Sequence, residues 1–302
     1  MVHFGFASSL LKKPTFWETL LPDKLLYYRG PLNVGPITGF LPGGDVQGVG
    51  WQLPKDFKEV WSNYRLVRLW QRFLAELSQY GIKVIGLDSA TTFAPPKSLR
   101  VDIPFPGVSD GKALEMLLFV NRFRNILRNF DIPPLKAKAT IVWEEGNLGV
   151  TCARLIAREV RFLNLVSSNE HSLERAAELV FAETGISAQT YRTLPEDFRG
   201  NRILIKCGTL CDLKLTRARQ AKKMIWCEIF QKSPSLTSFN ANLPLTVKGK
   251  FGGLPLYPAL SEAILRSRFN LIDGFWYGSE LPLERVVKLA LCCRELGREF
   301  IV

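Results

Sequence analysis

Histidine is nearly absent from this chain: its 302 residues contain only two, His3 and His171. The six cysteines do not make up for that shortage. Cys207 and Cys211 are separated by three residues, Cys292 and Cys293 are adjacent, and Cys152 and Cys227 stand alone, which is not the spacing of a zinc site. A chain of this length builds its own core and has no need of a disulfide framework, so buried, reduced thiols are expected. No apolar run reaches the roughly 18–20 residues that a membrane-spanning helix requires. A secretory leader would carry its basic residues ahead of its apolar stretch, and here Lys12 and Lys13 follow it. A cytoplasmic protein is the expectation. Internal repeats, low-complexity tracts and nucleic-acid-binding motifs are also missing.

What the chain has in excess is positive charge. Forty Lys and Arg against 28 Asp and Glu give a formal charge of +12. Nucleic acid, acidic headgroups, phosphorylated cofactors and acidic carrier proteins all suit such a balance. The basic residues are dispersed, however, through expected helices: Arg65, Arg68 and Arg72; Arg122, Arg124 and Arg128; Arg217, Arg219, Lys222 and Lys223. A solvated basic surface is the plain reading, and nucleic acid is disfavoured because charge alone supports it.

Residues 30–54 are crowded with Gly and Pro and read as loop, with room for short strands joined by tight turns. A helix is expected over 56–80, where Val60, Tyr64, Val67, Trp70, Phe73, Leu74 and Leu77 recur at helical spacing and Gly81 stands at the stop. Ile82, Val84, Ile85 and Leu87 then make a short buried strand that ends in the polar turn 88–92, the kind of place where α/β proteins bind ligands. A second helix is expected over 112–130, and Pro133 and Pro134 mark a boundary.

Beyond that boundary the pattern alternates. Residues 139–143 form a strand, 144–149 a turn, 150–160 a helix, 161–169 a strand, and 172–185 a helix with Ser172 as its cap. Residues 201–208 and 222–230 are further strands. Such alternation predicts a parallel sheet. Two helices are expected in the tail, over 258–269 and 281–297. The fold class expected is α/β: a Rossmann-like parallel-sheet domain over 135–250, preceded by an α/β substrate- or partner-binding domain over 1–134 and followed by C-terminal helices over 251–302.

A strand, a glycine turn and a helix aim backbone N–H groups and the helix dipole at an anion, commonly a dinucleotide pyrophosphate. Gly146, Asn147, Leu148 and Gly149 are the candidates to hold it. The G-x-G-x-x-G pattern is incomplete, because Glu144 stands at the first position, or Trp143 if a longer spacing is allowed. Glu144 and Glu145 flank the turn, and a carboxylate beside a phosphate costs roughly 1 kcal/mol or more in a partly screened site. A purely structural strand–helix turn is the competing reading. At the end of the second strand, Ser167, Ser168 and Asn169 stand where an acidic residue would bind the ribose of NAD. They suit the 2′-phosphate of NADP, with His171 or Arg175 alongside. They suit equally a strand end and a helix cap.

Several segments taken in order resemble the long-chain fatty acyl-[acyl carrier protein] reductases. FGFASSL (4–10) is similar to that family's N-terminal Phe-Gly segment. SQYGIKVIGLDSATTF (78–93), IVWEEGNLGVTCARLI (141–156) and LVSSNEHSLERAAEL (165–179) are similar to its first strand and turn, its nucleotide turn and its second strand. LPLYPALSEAIL (254–265) resembles the helix that carries its nucleophilic cysteine, and LPLERVVKLALCCRELG (281–297) its last helix. Shikimate and glutamyl-tRNA reductase-type dehydrogenases share the middle pattern. The resemblance implies reduction of an acyl thioester to an aldehyde by NADPH through a cysteine-bound acyl group, with an acidic acyl carrier protein as partner. Three positions depart from it: the cysteine falls at Ala259, an arginine at Ser168 and the first turn glycine at Trp143. Cys207, at a strand end beside Gly208, is the candidate replacement nucleophile, ahead of Cys292 and Cys293. A non-catalytic nucleotide sensor or interaction module on the same fold is the alternative.

Overall fold

The computed structural model describes residues 3–8, 31–42, 44–53, 63–88, 107–144, 146–194, 203–208, 225–230, 245–249, 252–253, 257–272, 274–276 and 278–298. Within these, none of the helices is long and apolar enough to cross a membrane. The chain divides into two compact units: 1–114 with 235–277 and 291–299, and 115–234 with 278–290 and 300–302. Residues 245–276 thus belong with the N-terminal unit, whereas the sequence reading set everything after 250 apart as a tail.

The first unit is built on a mixed sheet. Its described strands are β1 (His3–Ser8), β2 (Leu32–Phe40), β3 (Val46–Gln52), β4 (Val84–Leu87), β5 (Gly107–Ser109), β11 (Thr246–Gly249), β12 (Gly252–Gly253) and β13 (Phe275–Trp276), in the order β12-β11-β2-β3-β1-β4-β5-β13. From β3 to β13 the neighbours run parallel, and the β12, β11 and β2 edge is antiparallel. The expectation of a loop over 30–54 fails because the glycines there serve packing. A Cβ on Gly48 would lie 2.5 Å from the Phe4 ring, and one on Gly50 2.8 Å from Ile37, so β3 accepts large neighbours where it carries no side chain.

Helix α1 (Asn63–Gln79) lays Leu69, Trp70, Phe73, Leu74 and Leu77 on Ala7, Trp51, Ile85 and Leu87. Trp51 and Phe73 meet edge to face at 5.4 Å, and the Trp51 indole donates to Glu76 at 2.8 Å. The segment 56–62 of the expected helix lies outside the described residues. Against the other face lies α5 (Pro258–Arg268), ten of whose eleven residues are buried. Its approach requires glycine: a Cβ on Gly86 would lie 2.3 Å from the Ala259 carbonyl oxygen. Two charged side chains, Glu262 and Arg266, are fully buried on α5. The Arg266 guanidinium donates to the carbonyls of Val108, Leu271 and Gly274 at 2.8, 3.0 and 3.2 Å and stacks 4.2 Å over Trp276. Hydrogen bonds of this kind offset the cost of burying a charge.

Among the described residues, the second unit holds five parallel strands: β6 (Lys138–Val142), β7 (Phe162–Val166), β8 (Gln189–Tyr191), β9 (Ile203–Cys207) and β10 (Ile225–Ile229). Their order is β10-β9-β6-β7-β8. The chain starts at the centre, steps outward through β7 to β8, then crosses to the far side of β6, which is the strand order of a doubly wound dinucleotide fold. This is the α/β parallel-sheet domain read from the sequence. Between the strands run α2 (Lys112–Asn129), which precedes β6, α3 (Leu148–Ile156) and α4 (Glu170–Thr184), with α3 and α4 packed on each other. One cap differs from expectation. Asn169, not Ser172, caps α4, its side chain accepting from the Ser172 amide, while the Ser172 hydroxyl accepts from the Trp143 indole at 3.1 Å. Gly185, in the left-handed conformation at φ 71°, ends that helix. The last described helix is α6 (Leu283–Glu295).

Candidate functional site

In a doubly wound sheet, ligands sit beyond the carboxyl ends of the strands where the order reverses, here between β6 and β9. The turn that leaves β6 passes through Trp143 and Glu144 to Gly146 and enters α3 at Leu148. Gly146 has φ 60°, a conformation that L side chains rarely adopt, and the turn depends on it. Trp143 is fully buried, and its indole covers Gly149, whose absent side chain makes that contact possible. Thus the tryptophan at the first glycine position is a packing element that fixes the start of α3. Glu145 lies outside the described residues.

At the amino end of α3, the Thr151 amide bonds to the Asn147 carbonyl and begins the helical ladder. The Leu148, Gly149 and Val150 amides precede that ladder and have no partner inside the helix. The Asn147 amide is already engaged: it donates to the Ser279 carbonyl at 3.1 Å. Two further bonds hold the same segment. The Asn147 side-chain oxygen accepts from the Leu281 amide, and the Thr151 hydroxyl donates to the Leu281 carbonyl. A Cβ on Gly146 would lie 2.1 Å from the Ser279 carbonyl oxygen, so this segment rests directly on the turn.

The three candidates at the end of β7 separate. Ser167 is buried, and its hydroxyl accepts from the Asn169 amide at 3.3 Å. Asn169 caps α4. Ser168 is exposed beside them. Sequence reasoning missed Arg192, just after β8, which pairs with Glu170 on the first turn of α4. That bond holds the Glu170 carboxyl below the usual carboxylate range and the guanidinium above its own. His171 and Arg175 are exposed on the same helix.

Cys207 ends β9 and is buried against Cys152 of α3, whose thiol burial raises well above its ordinary pKa and the hydrogen bond with Cys207 raises further. Burial also pushes Cys227 and Cys292 up to about 11 and Cys293 to about 12. A protonated, buried thiol is a poor nucleophile. Among the described residues, no cluster of His, Cys, Asp and Glu suits a metal ion.

The first unit has its own polar group at strand ends. Ser8 and Asp88 follow one another across β1 and β4, and the Ser8 hydroxyl donates to Asp88 at 2.8 Å. Tyr257, just before α5, stacks on Phe6 at 5.7 Å, and its phenol is raised first by burial and then by the Asp88 charge. Ala259 lies alongside, buried, with its backbone nitrogen 2.3 Å from where a Cβ on Gly111 would stand. Position 259, where the sequence resemblance would set a cysteine, therefore holds a methyl group in a closed space. Asp88 lies in the polar turn expected at this strand end; residues 89–92 of that turn lie outside the described residues.

Neither a protein-family model nor a curated protein matches the chain. Among solved structures it is similar to the L-tryptophan dehydrogenase of Nostoc punctiforme, at 12% identity and a TM-score of 0.41 over 97% of this chain and 79% of that one. It is also similar to the 5-ketofructose reductase of a Gluconobacter species, at 11% identity and a TM-score of 0.34 over 76% and 78%. The shikimate 5-dehydrogenase of Listeria monocytogenes, bound to shikimate and NAD, is similar at 11% identity and a TM-score of 0.30 over 68% of each chain.

Proposed function

We propose that this protein is a reductase-like protein that binds a nicotinamide dinucleotide, NADP in preference to NAD, at the carboxyl edge of β6 and β7. The observation that carries the reading is the strand order β10-β9-β6-β7-β8 with a glycine turn leading from its central strand into a helix. The residues suit the group in three places. Leu148, Gly149 and Val150 offer amides at the positive end of α3. Ser168 stands at the end of β7 without an adjacent free carboxylate, since Glu170 is paired with Arg192. Arg192 and Arg175 supply positive charge for a 2′-phosphate. The dinucleotide, when bound, supplies a hydride to a carbonyl carbon.

An acyl thioester or an aldehyde is the proposed substrate class, and an acidic carrier protein the partner that a +12 chain suits. A covalent acyl intermediate is not part of the proposal, because Ala259 has no nucleophile and Cys207 is buried against Cys152. The test offers acyl-carrier thioesters and long-chain aldehydes with NADPH, following NADPH oxidation and the intact mass of the protein. NADPH consumption with no acyl adduct is expected. An adduct lost in Cys207→Ser would restore a cysteine mechanism.

A second reading, a non-catalytic module on this fold, is favoured by one observation: the first amide of the turn is already given to Ser279. Reduction of no substrate, with dinucleotide binding intact, would select it.

A further inference from the structure

We propose that residues 279–281 form a strap that closes the glycine turn and must lift before a pyrophosphate can be held there. The inference rests on the dinucleotide reading above and adds a gate to that site. An unoccupied anion turn presents its amides outward. Here the Asn147 amide is spent on the Ser279 carbonyl at 3.1 Å, and one N–H does not serve two acceptors well. The same carbonyl oxygen lies 2.1 Å from where a Cβ on Gly146 would stand, so backbone occupies the space beside the turn. A phosphate oxygen and the Ser279 carbonyl compete for one place.

The strap is fastened at both of its ends. At the far end, the Leu281 amide and carbonyl are both bonded, to the Asn147 side chain and the Thr151 hydroxyl respectively. In the middle, the Glu280 carbonyl accepts from Arg285 at 3.3 Å. At the near end, Gly278 has φ 101°, a backbone state that glycine enters and leaves without a Cβ penalty. Pro282 follows Leu281; it has no N–H to donate, and its carbonyl accepts from the Arg285 amide at 3.1 Å, at the start of α6. The closed arrangement is thus held by a few hydrogen bonds next to a glycine. A contact of that strength is one a ligand can displace, and a ligand that binds only the open state reports an affinity reduced by the open fraction.

Hydrogen exchange at the Leu281 amide, read with and without NADPH, tests the strap. In the ligand-free protein this amide is expected to exchange slowly, and bound NADPH or inorganic pyrophosphate is expected to speed it, whereas ordinary binding slows exchange nearby. Thr151→Val removes one strap bond without touching the amides of the turn. It should speed exchange at Leu281 and tighten NADPH by about fivefold, the shift in closed-to-open ratio that one hydrogen bond supports. Asn147→Ala removes the acceptor of the Leu281 amide, keeps the Asn147 amide, and repeats the test should the valine variant fail to fold. Fast exchange at Leu281 in the ligand-free wild type overturns the strap, as does continued protection with NADPH bound. If neither protein binds NADPH or pyrophosphate at millimolar concentration while Leu281 is protected and Thr151→Val releases it, the strap stands and the dinucleotide reading falls.

Discussion

The Trp143 indole lies over Gly149 so closely that a Cβ on the glycine would stand 2.1 Å from Trp143 Cδ2. The two residues are one packing unit, with a glycine in the helix because a tryptophan follows the strand before it. In this chain a residue pair fixes the angle between β6 and α3 where a run of glycines would otherwise do so.

That pairing predicts non-additive mutations. Gly149→Ala should destabilise by about 1–3 kcal/mol through overpacking, although alanine favours helix. Trp143→Ala should cost about 3–5 kcal/mol by leaving a cavity. In the double variant the new methyl group enters that cavity, so the combined loss should fall short of the sum by about 1 kcal/mol or more. Urea unfolding of the four proteins measures the cycle. Strict additivity would mean that the indole moves aside freely.

Glu262 predicts a pH dependence. Burial pushes its carboxyl up to about 7, although Ser109 donates to it at 2.6 Å, Arg266 lies one turn along, and the Leu114 amide donates at 2.9 Å. Below the ordinary glutamate range both folded and unfolded chains hold the proton, and the group costs nothing. Between that range and about pH 7 the folded chain holds a proton that the unfolded chain has lost, so stability falls as pH rises. Above about 7 the loss is complete. Relative to Glu262→Gln, the wild type should therefore be most stable near pH 4.5 and lose ground until about pH 7. Melting temperatures of both proteins across that window decide the matter, and parallel curves would remove Glu262 as their cause.

The parallel sheet of the second unit was legible from local pattern. The buried runs at 139–143 and 203–207, the helical spacing between them, and Gly185 at a helix end all report on neighbours close in sequence. The sheet of the first unit was less so, because Gly48 and Gly50 look like turn residues until Phe4 and Ile37 are seen to occupy the space above them. The site was legible only in outline. Gly146 marks its turn, but the bond between Leu281 and Asn147 joins residues 134 apart, and no spacing announces it. Ser167 and Asn169 read alike as ligand groups or as caps. The structure commits both to backbone amides. Arg192 sits in a stretch without periodicity, and only its ion pair with Glu170 draws notice to it.

That ion pair bears on cofactor choice. Glu170→Gln releases Arg192 from a carboxylate and removes a negative charge from the end of β7. On the proposed reading NADPH should bind several-fold more tightly in this variant and NADH should change little, because only NADPH carries a 2′-phosphate. Both groups are exposed, so the gain should shrink as salt is raised. Equal shifts for the two dinucleotides would place the 2′ position elsewhere.

The most direct measurement of the account is calorimetric titration of the purified protein with NADPH and, separately, NADH. The account predicts saturable one-to-one binding of NADPH, weaker binding of NADH, and loss of NADPH binding when a side chain at Gly146→Val blocks the turn. Absence of heat with either dinucleotide at millimolar concentration, in the wild type and in Thr151→Val alike, would contradict it.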